Sequence, residues 1–467
     1  MDLERLAAAL APVEVVGGGA HEVTDLAYDA GAVTAGSLFF CVRGMRADGH
    51  DFAPQAIANG AVALVVERRL DVDAPQIVVE NARAAMPRAA VAFFGDPTAS
   101  LEVAGVTGTS GKTTTTFLLY AILAADGRRP GLVGTVEARI GGERRKLPRT
   151  TPEAIDLQRL FREMLDAGDR SAAIEASSHA SVQGRLDGTR LRALVFTNLS
   201  QEHLDFHADM ENYFAAKRAL FREGVPAAVN VGDPWGARLA AELPDAVRFS
   251  IDDAEGLELG PAGAWFSVGG LELEPRLRGR FNVENVLGAV AAARLLGIGD
   301  DAIKRGVESL RGVPGRFEAV DEGQPFGVLV DYSHKPDALE KVLRSARELT
   351  AGRLTVVFGC GGDRDRGKRP VMGRVATELA DRVIVTSDNP RSEDPEAIIA
   401  EILAGAPGAE VEPDRAAAIE RALAGANEGD VVVIAGKGHE QGQEIGDTVI
   451  PFDDRAVAAD VLRRLPA

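Results

Sequence analysis

Residues Gly105-Val-Thr-Gly-Thr-Ser-Gly-Lys-Thr-Thr-Thr-Thr116 constrain this chain more than any other stretch. Val103 to Val106 read as a buried strand, and Thr113 to Ala125 read as a helix. A glycine-rich turn between strand and helix presents backbone N–H groups at a helix N-terminus, which suits a polyphosphate. Lys112 adds a positive charge for the outer phosphates, and Thr113 offers a hydroxyl to Mg²⁺. The segment therefore points to ATP or a relative of it. Its spacing departs from the general phosphate-loop pattern, because Val106 stands where a glycine is expected and glycine occurs at 105 and 108. A glycine-rich turn that holds no ligand is the alternative.

The chain has 467 residues, and its shifts in composition suggest three α/β domains, at 1–97, 98–314 and 315–467. The net charge of −18 argues against a nucleic-acid partner, which would need a basic surface. Cys41 and Cys360 are the two cysteines and lie in no paired motif, so two reduced thiols in a cytoplasmic protein are expected and no zinc site is. The start, Met-Asp-Leu-Glu-Arg, lacks the apolar core of a signal peptide. No run of about 18 apolar residues is present, so no membrane insertion is expected.

In the first segment, strands at 37–42, 61–66 and 76–79 alternate with helices at 53–59 and 82–94, before a turn at Gly95-Asp-Pro-Thr98. After the phosphate loop come strands at 172–176 and 193–197 and a helix at 283–296, which argue for a parallel, doubly wound sheet. Arg311-Gly-Val-Pro-Gly-Arg316 reads as a hinge. The last segment offers strands at 327–331, 354–359, 382–386 and 431–435. Each runs into a polar or glycine-rich edge: Asp-Tyr-Ser-His, Gly-Cys-Gly-Gly-Asp-Arg, Ser-Asp-Asn-Pro-Arg and Gly-Lys-Gly-His-Glu. Ligands of an open parallel sheet gather at the carboxyl ends of its strands, so four such edges suggest a site.

Three further constellations carry chemistry. Glu175 ends a strand beside the phosphate loop and is a candidate ligand for Mg²⁺, a hard cation that prefers oxygen. His203 and His207, with Glu202 and Asp205, resemble a metal or acid–base cluster. Lys217, in a helix spanning 213–221, would by itself be an ordinary solvated lysine. Arg364 and Arg391 sit at strand ends, where guanidinium groups can bind a carboxylate through paired hydrogen bonds or simply pair with the abundant acidic residues.

Together these motifs resemble the Mur ligase family, ATP-dependent amino-acid ligases of bacterial peptidoglycan synthesis. The resemblance runs through Thr107–Thr113, Glu175–His179, Thr197–Asp205, Tyr213–Lys217, Gly279–Asn285, Gly315–Phe317, Asp331–His334 and Gly436–Glu440. It implies a small α/β domain for a UDP-sugar, a central phosphate-loop ATPase-like sheet, and a Rossmann-like C-terminal domain for the amino acid. It implies ATP binding by Gly108, Thr109, Ser110, Gly111, Lys112, Thr113, Thr114, Asn282, Arg316 and Asp331, assembled by domain closure. It assigns Thr113 and Glu175 to one Mg²⁺, and His207 with Lys217, carbamylated to N6-carboxylysine, to a second. Lys112, Glu175, His207 and Lys217 are thereby the expected catalytic set.

Within the family the chain is similar to the branch that adds the third peptide residue. That implies UDP-N-acetylmuramoyl-L-alanyl-D-glutamate (UDP-MurNAc-L-Ala-D-Glu) as acceptor, held by Thr150, Thr151, Ser177, Gln183 and Arg185. Arg149 replaces a usual Asn before the two threonines, and Asp29-Ala-Gly31 replaces a common Asp-Ser-Arg, which removes a hydroxyl near the uridine end. Asp388, Asn389, Pro390 and Arg391 resemble the edge of enzymes that take meso-diaminopimelate rather than L-lysine, with Arg364, Gly436 and Glu440 completing the amino-acid site. The distal carboxylate that lysine lacks is the partner expected for Arg391. A monomer is expected. L-lysine as substrate, a folylpolyglutamate synthase-like ligase and an ATP-binding regulator without ligase activity are the competing readings.

Overall fold

A computed structural model describes residues 1–44, 47–260 and 262–465. The chain divides into two compact units, Met1–Ser250 with Gly288–Gly306, and Ile251–Leu287 with Val307–Ala467.

The first unit contains two sheets. One is built from β1 (Glu14–Val16), β2 (Asp25–Ala27), β3 (Ser37–Phe40), β4 (Ala61–Val66) and β5 (Gln76–Val78), in the order β1-β5-β4-β3-β2. All pairings are parallel except β1 with β5. The runs Ser-Leu-Phe-Phe and Ala-Val-Ala-Leu-Val-Val are buried almost throughout because both faces of this sheet are covered. Residues 41 and 42, expected in a strand, fall beyond β3.

The second sheet comprises β6 (Glu102–Thr107), β7 (Pro130–Val133), β8 (Ala138–Ile140), β9 (Glu143–Arg145), β10 (Ser171–Glu175), β11 (Leu191–Phe196), β12 (Ala227–Asn230) and β13 (Val247–Phe249). Its order is β13-β12-β11-β6-β10-β7-β8-β9. It is parallel from β13 to β7 and ends in an antiparallel edge. The central strand β6 lies between β10 and β11, with Val106 opposite Glu175 and Thr107 opposite Phe196. That register brings the loops after these three strands to one edge, where a parallel sheet binds ligands. The helix Ala154–Asp166 joins the two sheets' layers: Arg159 donates to Asp25 at 2.7 Å and to the Leu26 carbonyl at 3.0 Å, and Tyr28 donates to Asp156.

The second unit holds a three-stranded antiparallel sheet of β14 (Glu255–Gly260), β15 (Gly263–Val268) and β16 (Leu271–Leu273). Its main sheet contains β17 (Glu318–Ala319), β18 (Gly327–Asp331), β19 (Leu354–Phe358), β20 (Arg382–Val385), β21 (Glu410–Val411) and β22 (Val431–Ala435), ordered β17-β18-β22-β19-β20-β21. A hairpin of β23 (Gly442–Ile445) and β24 (Thr448–Pro451) follows. Alternate residues of the main sheet enter two cores. Leu329, Val356 and Val433 pack with Leu339 and Met372, whereas Val328, Val357 and Val432 pack with Ile419 and Val461. Helices therefore cover both faces, the doubly wound arrangement, and the four expected strands end in register at Asp331, Phe358, Val385 and Ala435.

Candidate functional site

The phosphate loop leaves β6 at Thr107 and enters the helix Lys112–Ala125 through Gly111, whose φ of +85° lies in the left-handed region. Gly108 has φ +150°, and a Cβ there would collide with the Thr197 hydroxyl, so the turn admits no side chain. The segment after β11 staples the loop in place. Asn198 accepts from the Ser110 N–H at 3.0 Å and donates to the Ser110 carbonyl at 3.2 Å, and Thr197 Oγ1 donates to the same carbonyl at 2.7 Å. Thr109 donates its N–H to the Asn198 carbonyl, and its hydroxyl meets Tyr213 Oη at 3.1 Å. Thr113 and Thr114 are buried at the first helical turn, which follows Gly111 as N-cap.

Lys112 donates to the carbonyls of Gly108, at 2.9 Å, and Thr109, at 2.7 Å. Lys217, on the helix Met210–Arg218, reaches the same Gly108 carbonyl at 2.8 Å. It is not a solvated lysine: its side chain is buried, and its Nζ stands 4.6 Å from the centre of the Tyr213 ring. Burial, and then the charge of Lys112, holds its pKa well below the usual lysine range against a pull from Glu202.

Glu175 closes β10 and is buried. Thr135 donates its N–H to one carboxylate oxygen at 2.7 Å and its hydroxyl to the other at 3.0 Å. The Thr135 hydroxyl also meets Thr150 Oγ1 at 3.0 Å. Sequence reasoning missed Thr135, although Gly134-Thr135 follows an apolar strand as the other site edges do. His207 is buried and shares a 3.0 Å hydrogen bond with Ser178 Oγ. Desolvation first, then His179 and Lys217, lower its pKa to about 4. His179 brings the histidines together, with ring centres 4.7 Å from His203 and 5.5 Å from His207. Among the described residues no three His, Cys, Asp or Glu side chains converge as a metal cluster.

Thr150, Thr151, Ser177, Gln183 and Arg185 do gather. Thr151 Oγ1 donates to the Glu175 carbonyl at 2.7 Å and lies 3.1 Å from Ser177 Oγ. Arg185 donates to the Thr151 carbonyl at 2.9 Å and to Gln183. Glu153, buried one turn away, draws in Arg185 at 3.1 Å, Arg149 at 3.4 Å and Arg83 at 2.9 Å. Arg149 thus stands beside the threonine pair as an ion-pair partner. Asp29, with Ala30 and Gly31 after it, caps a single helical turn through the Gly31 N–H at 2.9 Å.

In the second unit, Asp331 is buried and accepts from the Phe317 N–H at 2.7 Å and from Ser333. Burial raises its pKa against the pull of those bonds and of Arg316. Arg316 lies over the Tyr332 ring at 4.8 Å. Asn282 is buried and bonded to the Arg278 carbonyl and to Asn285; like Arg316 and Asp331, it belongs to this unit.

The rim after β20 and β22 is tightly laced. Asn389 donates to Glu440 at 2.9 Å, and Lys437, fully buried, donates to Asn389 at 2.8 Å and Glu440 at 3.1 Å. Gly436 has φ +118°, and a Cβ there would come within 2.5 Å of Asp388 Oδ2. Beneath it, Arg415 pairs with Asp454 in the core and stands 4.0 Å from Asp388. Arg391 takes a left-handed φ of +52°, donates to the Gly362 carbonyl at 2.8 Å and pairs with Glu444 at 2.6 Å. Pro390 is buried behind it, and Arg364 is exposed on the neighbouring edge.

The chain matches three family models in order: the Mur ligase family, catalytic domain, over residues 22–100; the Mur ligase middle domain over 106–293; and the Mur ligase, glutamate ligase domain over 315–438. It is 44% identical to the UDP-N-acetylmuramoyl-L-alanyl-D-glutamate--2,6-diaminopimelate ligase of Geobacter metallireducens, over 100% of this chain and 99% of that one. It is 45% identical to the enzyme of the same name from Streptomyces coelicolor, over 96% and 94% of the two chains. A solved structure of a ligase of that name superposes with a TM-score of 0.69 at 33% identity, covering 98% of this chain and 99% of the other. A folylpolyglutamate synthase/dihydrofolate synthase of Yersinia pestis shares the fold, with a TM-score of 0.59 at 20% identity over 81% of this chain and 92% of that one.

Proposed function

Because this chain belongs to the Mur ligase family, we propose that it is an ATP-dependent amide ligase that adds meso-diaminopimelate to UDP-N-acetylmuramoyl-L-alanyl-D-glutamate. It acts in peptidoglycan synthesis, as a monomer in the cytoplasm. No helix among the described residues is long and apolar enough to cross a membrane.

The reaction follows from the chemistry of a carboxylate, which is a poor acylating agent. The γ-phosphoryl group of ATP passes to the side-chain carboxylate of the D-glutamate, giving an acyl phosphate and ADP. The amino-acid amine attacks the acyl carbon and loses a proton. That attack makes the C–N bond, and the tetrahedral intermediate then expels phosphate as the carbonyl re-forms, leaving the amide. Two anions meet in the first step, so charge neutralisation dominates its barrier. Lys112 and the phosphate loop Gly108–Thr114, pinned by the bonds of Thr109 and Ser110 to Asn198, carry the phosphates. Thr150, Thr151, Ser177, Gln183 and Arg185 orient the acceptor. Asn282, Arg316 and Asp331 hold the rest of the nucleotide.

The oxygens of Glu175 and Thr113 are hard donors that fit Mg²⁺, and each Glu175 oxygen keeps a lone pair beyond its bond to Thr135. His207 and a carbamate on Lys217 would hold a second ion. Bound Mg²⁺ would supply Lewis-acid stabilisation of the transferring phosphoryl group. The depressed basicity of buried Lys217 supports the carbamate, since only a neutral amine adds CO₂.

The observation that carries the choice of amino acid is the rim of Asn389, Arg391 and Glu440, which offers donors and an acceptor to a zwitterionic end group. Asp388, Arg364 and Gly436 complete it. The test is phosphate release from ATP with each substrate omitted in turn. Release that requires both the UDP-dipeptide and diaminopimelate supports the ligase. Release without the amino acid would overturn it.

A further inference from the structure

Lys437 is a buried cation of the rim. It lies in Gly436-Lys-Gly-His-Glu440 with its side chain fully buried. Burying an ammonium group is costly unless it is matched by acceptors. Its acceptors are two residues of the amino-acid site, Asn389 Oδ1 at 2.8 Å and Glu440 Oε2 at 3.1 Å. The Glu444 N–H, arriving from the hairpin, reaches the same Asn389 Oδ1 at 3.0 Å.

Two donors on one atom decide which end of the Asn389 amide is oxygen. The NH₂ end is thereby turned to Glu440 Oε2, at 2.9 Å. Oε2 now takes two donors, and Oε1 is left as the acceptor of the pair. Asn389 has spent its oxygen and keeps one N–H. Its neighbour Arg391 brings further N–H groups. The rim is thus polarised, with donors at 389 and 391 and an acceptor at 440. The distal carbon of diaminopimelate bears a carboxylate and an ammonium group, which match that polarity. Lysine brings only the ammonium.

Resting on the reading of this rim as the amino-acid site, we infer that Lys437 is a positioning residue for specificity: it locks the Asn389 amide and the Glu440 carboxylate in the orientation that selects an amino acid with a zwitterionic end. Without it the amide is free to turn its oxygen toward the substrate carboxylate, and Glu440 loses a bond that orients it.

The test is steady-state phosphate release by the full-length Lys437→Met enzyme, which keeps the side chain's bulk. The KM for diaminopimelate should rise about tenfold, the scale of a lost charge-assisted hydrogen bond. The KM values for ATP and the UDP-dipeptide should stay within about twofold, and the preference for diaminopimelate over L-lysine should fall about tenfold. Lys437→Gln, which retains an N–H donor toward Asn389, should recover part of both losses. An unchanged KM for diaminopimelate, or three KM values rising together with unchanged preference, overturns the inference. If Lys437→Met gives no cooperative melt, Lys437→Gln and Asn389→Asp decide. The Asp sets a carboxylate oxygen against Glu440 and should raise the same KM, and no rise in either variant overturns the inference. Arg391→Ala separates the two levels. No effect on the diaminopimelate KM there removes the reading of the rim, whereas an effect there with none in Lys437→Met removes only the role of Lys437.

Discussion

Lys112 and Lys217 direct their side-chain nitrogens at one acceptor, the Gly108 carbonyl, from 2.9 and 2.8 Å. Two ammonium groups at one dipole repel, and the buried one yields its proton more readily. Burial and the neighbouring Lys112 thus make Lys217, held against the phosphate loop, a weaker base than an ordinary lysine.

The first prediction follows from that pair. Enzyme equilibrated with ¹³C-bicarbonate should show one carbamate carbonyl resonance, and Lys217→Arg should abolish it together with activity. Lys112→Met removes a charge that lowers the Lys217 pKa, so it should weaken the carbamate signal, and it should slow phosphoryl transfer by about a hundredfold or more. A wild-type enzyme with no carbamate signal at full activity would refute the modification.

Glu175 supports a second prediction. Its oxygens are held by the N–H and hydroxyl of Thr135. Glu175→Gln sets an NH₂ group against one of those donors, which costs about 1–3 kcal/mol of stability. Turnover should fall at least a hundredfold, with a raised Mg²⁺ requirement. Thr135→Val should reproduce part of the Mg²⁺ effect, and nucleotide-binding titrations at graded Mg²⁺ read both.

Glu153 gives the third. Three guanidinium groups converge on its buried carboxylate, from Arg83, Arg149 and Arg185. Glu153→Ala leaves like charges facing one another and should cost about 3 kcal/mol in denaturant unfolding, the usual penalty for stranding buried charge. The KM for the UDP-dipeptide should rise with it, because Arg185 loses an anchor beside Thr151. Unchanged stability would show that the cluster is solvated in solution.

His334 makes stability depend on pH. Burial lowers its pKa from 6.5 to about 4, with Lys368 and Lys335 adding to the fall and the Tyr332 carbonyl and Asp388 opposing it. Between those two values the unfolded chain binds the proton that the native histidine refuses. This group's contribution is therefore fully present above pH 6.5 and is lost as pH falls toward 4. The loss should reach about 3 kcal/mol at about 1.4 kcal/mol per pH unit. Between pH 4 and 6.5, unfolding of His334→Gln should show a pH slope shallower by about 1.4 kcal/mol per pH unit, and equal slopes would contradict it.

Much of this was legible in the chain. The strand, turn and helix around Lys112 announce themselves because apolar β6 and the threonine-rich helix flank a glycine turn that only a backbone-lined cradle needs. The four strands of the last segment were readable as apolar runs ending in polar edges. The edge strands β1 and β2 were not, since three residues carry no measurable period. Local pattern also misplaced Lys217, whose helix looks solvated until the fold packs it under the phosphate loop. Thr135 and Lys437 stand on strand-end edges that the sequence shows, but their partners were not legible, for a related reason. Each acts by bonding a residue some 40 to 50 positions away in the chain, Thr135 with Glu175 and Lys437 with Asn389. Sequence spacing does not encode such pairs.

The central claim is that the activated acyl group is handed to an amino acid bearing a distal carboxylate. Competition between meso-diaminopimelate and L-lysine, in ATP-dependent phosphate release with the UDP-dipeptide, tests it most directly. The account predicts kcat/KM at least about a hundredfold higher for diaminopimelate, because lysine brings no distal carboxylate to the N–H groups that Asn389 and Arg391 keep beyond their bonds to Glu440, Gly362 and Glu444. Equal kcat/KM for the two amino acids would contradict it.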